Sequence, residues 1–180
     1  MKTSVDRKDF ENLIDDHGKS LYSFCGRLTG YTDDANDLYQ QTFLRALELC
    51  DRIDPAGNPK AFLFTIAASL YKSRMRKLAR RDRIAPREDI TDENAELLAG
   101  DTDVEAEVLS GELSSVMRKA VQRLKEPLRM TVLLFYGSGF SLAEIAGILR
   151  VPQGTVKSRL NKARSILRKD LEATGYEINP

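Results

Sequence analysis

The stretch Ser141–Lys169, SLAEIAGILRVPQGTVKSRLNKARSILRK, decides the fold of the C-terminal half. Two helix-like runs flank one proline. Ser141 is a good N-cap, and Glu144 three residues on completes a capping box. Leu142, Ile145, Ala146 and Leu149 recur at helical spacing and form the inner face of a short helix. Val151 precedes Pro152, which biases it away from helical geometry. The chain therefore turns at Arg150–Pro152 and restarts near Gln153. Val156, Leu160, Ala163, Leu167 and Leu171 line the inner face of a longer helix. Small Ala146 and Gly147 are expected to let the two helices approach closely. The pattern is a helix-turn-helix.

The second helix leaves Gln153, Thr155, Lys157, Ser158, Arg159, Asn161, Lys162 and Arg164 outward or sideways. A recognition helix needs polar groups near its N-terminus for base edges. It needs Lys and Arg for phosphates, which fix register without reading sequence. Both kinds are present. Arg150 to Lys169 holds seven basic residues and no acidic one. A merely soluble helix mixes signs, so the pattern points to DNA binding. The alternative is a two-helix packing unit with a solvated basic face.

The 180 residues suffice for one medium domain or two small ones. The formal net charge of +1 conceals a segregation of charge. Lys72 to Arg87 holds eight basic residues against one acidic, Asp82. Glu88 to Glu112 holds ten acidic residues and no basic one. The C-terminal helix is basic again.

Upstream, nearly every segment reads as helix. Phe10, Leu13, Ile14, His17, Leu21, Phe24, Cys25 and Leu28 share one face of a first helix that Gly30 ends. Thr32 is placed to cap a second helix, and Asp33 and Asp34 favour its positive end. Its stripe is Ala35, Leu38, Tyr39, Phe43, Ala46, Leu47 and Cys50. Asn58-Pro59 reads as a cap and a first-turn proline. The helix they start has Phe62, Leu63, Ile66, Ala67, Leu70 and Leu78 on its apolar face and runs into KSRMRKLARRDR. The eight cations from Lys72 to Arg87 exceed what a helix dipole needs. From Ile84 to Asp103 the periodicity fades into an acidic linker, with a helical turn expected at Glu93–Leu98. Regular pattern returns at Val104, Val108, Leu109, Leu113, Val116, Met117, Ala120, Val121 and Leu124. A short helix from Pro127 through Tyr136 ends at Gly137-Ser138-Gly139. The expected fold is all-α, two small helical domains spanning 1–82 and 104–180, joined by an acidic linker at 83–103.

Nothing in the inventory assembles a catalytic, metal or cofactor site. His17 is the single histidine and lies on an apolar stripe. Cys25 and Cys50 read as buried thiols. No Gly-rich phosphate loop or metal-spaced Cys pair occurs. No charged-then-apolar leader opens the chain and no long apolar run follows. The expectation is a soluble cytoplasmic protein, not an enzyme, with no membrane insertion of its own.

Four stretches resemble bacterial sigma factors of the extracytoplasmic-function (ECF, group IV) kind, and they stand in the family's order. DDANDLYQQTFLRAL resembles the helix that grips the RNA polymerase clamp. NPKAFLFTIAASLYKSRMRKLAR resembles the promoter-melting and −10-reading helix. LKEPLRMTVLLFYGSGFSLAEIAGIL resembles the start of the −35-reading domain, and VPQGTVKSRLNKARSILRKDL its recognition helix. The resemblance covers about residues 8–81 and 106–172.

It implies a sigma region 2 bundle and a sigma region 4 helix-turn-helix that bind core RNA polymerase, at its clamp and flap, and promoter DNA. Asp37, Leu38, Gln40, Gln41 and Phe43 would meet core polymerase. The loop Asp54–Lys60 and the next helix would meet the −10 element, through Asn58, Lys60, Lys72, Arg74, Arg76, Lys77, Arg80 and Arg81. Gln153, Thr155, Lys157, Ser158, Arg159 and Lys162 would sit at the −35 major groove. The linker would either mimic a phosphate backbone in the polymerase channels or act as a solvated tether. The family also implies an anti-sigma factor.

The chain departs from the family pattern at Phe62, often Trp, at Ser69, often Asn, and at Gln41 and Ser73, often acids. Phe62 keeps the apolar anchor. The other three bear on promoter preference and polymerase affinity. Two rival readings are a sigma-like mimic that binds an anti-sigma factor without contacting DNA, and a stand-alone helix-turn-helix repressor. The retained cations argue against the first. The polymerase-binding and −10 stretches argue against the second.

Overall fold

The structure, a computed structural model, describes residues 7–30, 32–49, 57–84 and 111–175. Among the described residues there are helices and no strand, as the all-α expectation has it. They are α1 Arg7–Thr29, α2 Thr32–Glu48, α3 Pro59–Ile84, α4 Gly111–Arg123, α5 Glu126–Val132, α6 Leu142–Leu149 and α7 Gln153–Ala173. The expected turn at Glu93–Leu98, the apolar positions Val104, Val108 and Leu109, and Cys50 lie outside the described residues. So do Asp54–Ala56 of the loop and nearly all of the linker, and the side chains of Thr32 and Leu113 are likewise not described. The chain divides into two compact units, one built on α1–α3 and the other on the helices from Gly111 onward.

In the first unit, α1 packs on α2 and α2 on α3. The chain leaves α1 at Gly30, whose φ of 72° is left-handed and whose N–H reaches the Gly26 carbonyl at 2.9 Å. Glycine adopts that conformation without the Cβ penalty other residues meet. Leu13, Leu21, Phe24, Cys25 and Leu28 of α1 are buried. Phe10, Ile14 and His17 lie at the boundary. An edge-on aromatic series, Phe10–Phe43–Tyr39–Tyr22, joins α1 to α2, with centroids 6.1, 5.0 and 5.4 Å apart. Edge-to-face pairs add about 0.5–1.5 kcal/mol beyond area burial.

On α2, Ala35, Leu38 and Ala46 are buried, and so is Thr42, whose hydroxyl donates to the Leu38 carbonyl at 2.7 Å. That bond satisfies a polar group that the apolar stripe had passed over. Leu47 corrects the stripe, since it is exposed. With Ala46 against the bundle, the next residue is rotated about 100° away from it.

Asn58 caps α3 as expected: its Oδ1 accepts from the Ala61 N–H at 2.9 Å. The N-terminal half of α3 is buried almost all round, at Leu63, Phe64, Ile66, Ala67, Ala68 and Tyr71. Phe64 packs on Phe24 with centroids 5.0 Å apart. Phe62 is only half-buried, so Phe64 is the deeper aromatic anchor.

In the second unit, α7 packs on α4 and α5. Val156, Leu160, Ala163 and Leu171 are its buried positions, and Leu167 is half-buried. α5 runs on into a π-helical turn, Leu133–Gly137, where a continued α-helix was expected. The Phe140 N–H reaches back to the Leu134 carbonyl at 3.1 Å, and Gly139 takes φ 71°. The wide turn keeps Leu133 and Leu134 inside while leaving Tyr136 in solvent. Such π-turns inside α-helices are rare and are found frequently at functional sites.

Candidate nucleic-acid interface

The turn between α6 and α7 is built as the chain predicts. The Ser141 N–H and hydroxyl donate to Glu144 Oε2 at 2.8 and 2.7 Å, and the Glu144 N–H returns to Ser141 Oγ at 3.3 Å. This is the reciprocal capping box. α6 stops at Leu149, Arg150 takes φ 55°, and the Val151 N–H bonds the Ala146 carbonyl at 3.1 Å. Arg150 thus occupies the left-handed C-cap position usually given to glycine. The buried residues of α6 are Ile145, Ile148 and Leu149. Gly147 does not mediate close packing: it is exposed, and a Cβ there would meet nothing within 4 Å.

Pro152 precedes α7 with no side-chain cap, and no acid stands in the first turn. The positive end of the α7 dipole is therefore not neutralised by a side-chain cap or an acid of its own first turn, a setting that favours phosphate. Gln153, Lys157, Ser158 and Lys162 are exposed, while Thr155 and Arg159 are half-buried at the flanks. The Ser158 hydroxyl donates to the Thr155 carbonyl at 3.0 Å. Further along α7, Arg164 Nε donates to the Tyr136 hydroxyl at 2.7 Å, with its guanidinium carbon 5.8 Å from the ring centre. Sequence reasoning misses this pair, because only the π-turn brings Tyr136 to α7.

The second basic surface lies on the C-terminal half of α3. Arg76, Lys77, Arg80 and Arg81 are exposed or half-exposed, and Lys72 and Arg74 are half-buried. Arg76 leans on its own helix, reaching the Lys72 carbonyl at 3.4 Å and Ser73 Oγ at 3.3 Å. Lys60 sits 6.0 Å from the Phe64 ring centre. Arg74 differs from the rest. Its guanidinium bonds Asp34 and stands 3.6 Å from Asp37 Oδ2, both on α2. It lies three residues beyond buried Tyr71 and seven beyond buried Ala67, hence on the bundle side of α3.

The third surface is the outer face of α2. Asp37, Gln40 and Gln41 are all exposed, and the Gln41 amide donates to both Asp37 oxygens at 3.0 and 3.1 Å. Leu38 and Phe43 do not join them. Leu38 is 3% exposed and points into the bundle, and Phe43 stands in the aromatic series. The apolar part of the face is instead Leu44 and Leu47, 63% and 53% exposed. Leu44 lies three, four and seven residues beyond Gln41, Gln40 and Asp37, and Leu47 lies three beyond Leu44 and seven beyond Gln40; that helical spacing was the signal in the sequence.

Among the described residues no group of His, Cys, Asp and Glu could hold a metal, and no helix is long and apolar enough to cross a membrane. Burial pushes the Cys25 thiol from its ordinary 9.0 up to about 12, against a smaller opposing backbone hydrogen bond. Such a thiol is inert as a nucleophile.

The comparisons with known proteins agree with this geometry. Residues 13–81 match Sigma-70 region 2, and residues 115–167 match Sigma-70, region 4. The chain is 32% identical over 171 residues to the ECF RNA polymerase sigma factor SigW of Bacillus subtilis, covering 92% of this chain and 90% of that protein. It is 37% identical over 158 residues to the ECF RNA polymerase sigma factor EcfG of Rhodopseudomonas palustris, covering 88% and 82%. In structure it resembles the sigma factor RpoE of Bartonella quintana, solved in complex with the anti-sigma factor NepR. There the TM-score is 0.71 at 29% identity, over 92% of this chain and 98% of that one. Relatives matched over nearly their whole length, and the two regions in their proper order, leave one conclusion: the chain belongs to the ECF RNA polymerase sigma factors.

Proposed function

We propose that the three surfaces divide the work of initiation, with α2 holding core RNA polymerase, α3 meeting the −10 element and α7 reading the −35 element. As an ECF sigma factor the chain directs promoter-specific transcription initiation. The observation that carries the division is the placement of its cations. Two basic helices, one in each sigma region, flank an acidic segment, and the α7 N-terminus is uncapped and free of acids.

The working parts are residues 1–82 as region 2, 83–103 as connector and 104–180 as region 4. Asp37, Gln40 and Gln41 act at the polymerase clamp together with Leu44 and Leu47. Asn58, Lys60, Lys72, Arg76, Lys77, Arg80 and Arg81 line the −10 DNA. Gln153, Thr155, Lys157, Ser158, Arg159 and Lys162 serve the −35 major groove, where phosphate contacts set register and base-edge contacts set sequence. Strand opening is driven by capture of unpaired bases, with no catalytic step by the chain itself. It is a group IV factor that works in the cytoplasm beside the polymerase. An anti-sigma factor restrains it, a reading supported by the likeness to a sigma factor solved with one.

Run-off transcription with core polymerase, this chain and a pool of fragments from its own genome tests the reading. Transcripts that depend on the chain and share an upstream motif are expected. Absence of both transcripts and core binding overturns it in favour of the mimic.

A further inference from the structure

Arg74 is the member of the basic α3 segment whose cation is already engaged by carboxylates of another helix. One terminal nitrogen bonds Asp34 Oδ1, and the other faces Asp37 Oδ2 at 3.6 Å. The end-on fork that a phosphate would take is therefore occupied. Two carboxylates against one guanidinium leave this corner net negative. Approaching DNA is repelled there, although the neighbouring cations attract it. Lys77, Arg80 and Arg81 have no ion pair among the described residues. Asp37 belongs to two surfaces at once. It receives the Gln41 amide on the outer face of α2, and it faces Arg74 on the side toward α3.

We propose that Arg74 is a reserve phosphate contact, clasped by Asp34 and Asp37 in the free chain and released to DNA when core polymerase engages Asp37. The proposal rests on the reading of the Asp37–Leu47 face as the polymerase surface. The clasp is partly exposed, with Arg74 36% accessible, so it is weak enough to open. A partner cation on Asp37 removes one of the two restraining charges. The corner is then neutral, with Asp34 alone against Arg74, and phosphate is no longer repelled and competes with one carboxylate instead of two for the guanidinium. The amide at position 41 fits this device. A carboxylate there would lie beside Asp37 and add a third negative charge to the corner, where the amide instead donates to Asp37.

The test is the salt dependence of DNA binding, because removing one phosphate partner lowers the log–log slope by about one. It is measured twice, for the free chain on a mixed-sequence oligonucleotide and for the holoenzyme on a promoter fragment from the run-off assay. Arg74→Ala is expected to leave the slope of the free chain unchanged and to lower that of the holoenzyme by about one. Arg80→Ala lowers both. Asp34→Asn is expected to tighten binding by the free chain several-fold. The charge-matched Asp33→Asn gives a smaller gain, and Arg74→Ala removes the excess gain of Asp34→Asn. A slope that already falls in free Arg74→Ala makes the residue a standing contact and overturns the proposal. A slope unchanged in both settings makes it a structural strut and also overturns it. Circular dichroism confirms that each variant is folded. Core affinity of Leu44→Asp separates the two readings: undiminished affinity sinks the polymerase face while the free-chain slopes still report on the clasp.

Discussion

The Tyr39 phenol occupies the space above Gly18: a Cβ on that glycine would stand 2.9 Å from the phenol oxygen. α1 therefore tolerates a glycine in mid-helix, where alanine would be favoured by about 1 kcal/mol. The phenol has no easy retreat, because its ring is held between Tyr22 and Phe43 at 5.4 and 5.0 Å. Gly18→Ala is predicted to destabilise α1 and α2 by about 1 kcal/mol, the clash outweighing the propensity gain. In a Tyr39→Phe background the same change stabilises by about 0.5–1 kcal/mol. Native-state hydrogen exchange of the α1 and α2 amides reads both. Equal effects in the two backgrounds would contradict the contact.

The exposed leucines of α2 separate binding from stability. Leu44→Asp or Leu47→Asp should leave stability within about 0.5 kcal/mol of the parent. Either should still weaken core-polymerase binding by roughly tenfold or more, as truncating a central apolar anchor does. Leu38→Ala, at a buried site, should cost about 2–5 kcal/mol of stability. Chemical denaturation beside a polymerase-binding assay distinguishes them. A Leu44→Asp variant that binds normally would remove the leucines from the interface.

Arg159 stands at the flank of α7 with no ion pair among the described residues. Arg159→Ala should cost about 1–3 kcal/mol at the −35 element. Core-polymerase binding should be intact. Electrophoretic shifts with −35 duplexes of matched and altered sequence measure the first, and competition for core measures the second. Equal losses in both assays would count against the role.

Alkali should weaken the first unit. Burial raises the Cys25 thiol from 9.0 to about 12. Burial, and secondarily Cys25, raises the Tyr39 phenol from its ordinary 10.0. A group with a raised folded pKa holds its proton in the native state after the unfolded chain has lost it. Its contribution is complete below the unfolded value and is lost as pH rises toward the folded one. Stability should therefore fall as pH climbs from about 9 toward 12. Cys25→Ala, though less stable at neutral pH, should show a shallower alkaline decline. Denaturant melts across that range supply the slopes, and an identical slope in the variant would refute the assignment.

Helix ends and the turn before α7 are legible in the chain because their causes act within a few residues. Asn58 caps Ala61, Ser141 and Glu144 close their box, and Pro152 stops one helix and starts the next. The buried face of α7 follows from period alone, at Val156, Leu160, Ala163 and Leu171. Charge segregation is equally a property of the string, and it marks the two basic helices before any fold is known.

Other features needed distant contacts. Periodicity marks a stripe but does not say which apolar residues the neighbouring helix covers. α1 and α3 cover Leu38 and leave Leu44 and Leu47 bare. The π-turn carries Tyr136 to Arg164, 28 residues along the chain. Arg74 reads as one more cation in a basic run until α2 brings Asp34, 40 residues away in sequence, onto its guanidinium. Caps and periods are short-range and so are written locally. Which charges are free and which are already paired depends on helices that meet only in the folded bundle.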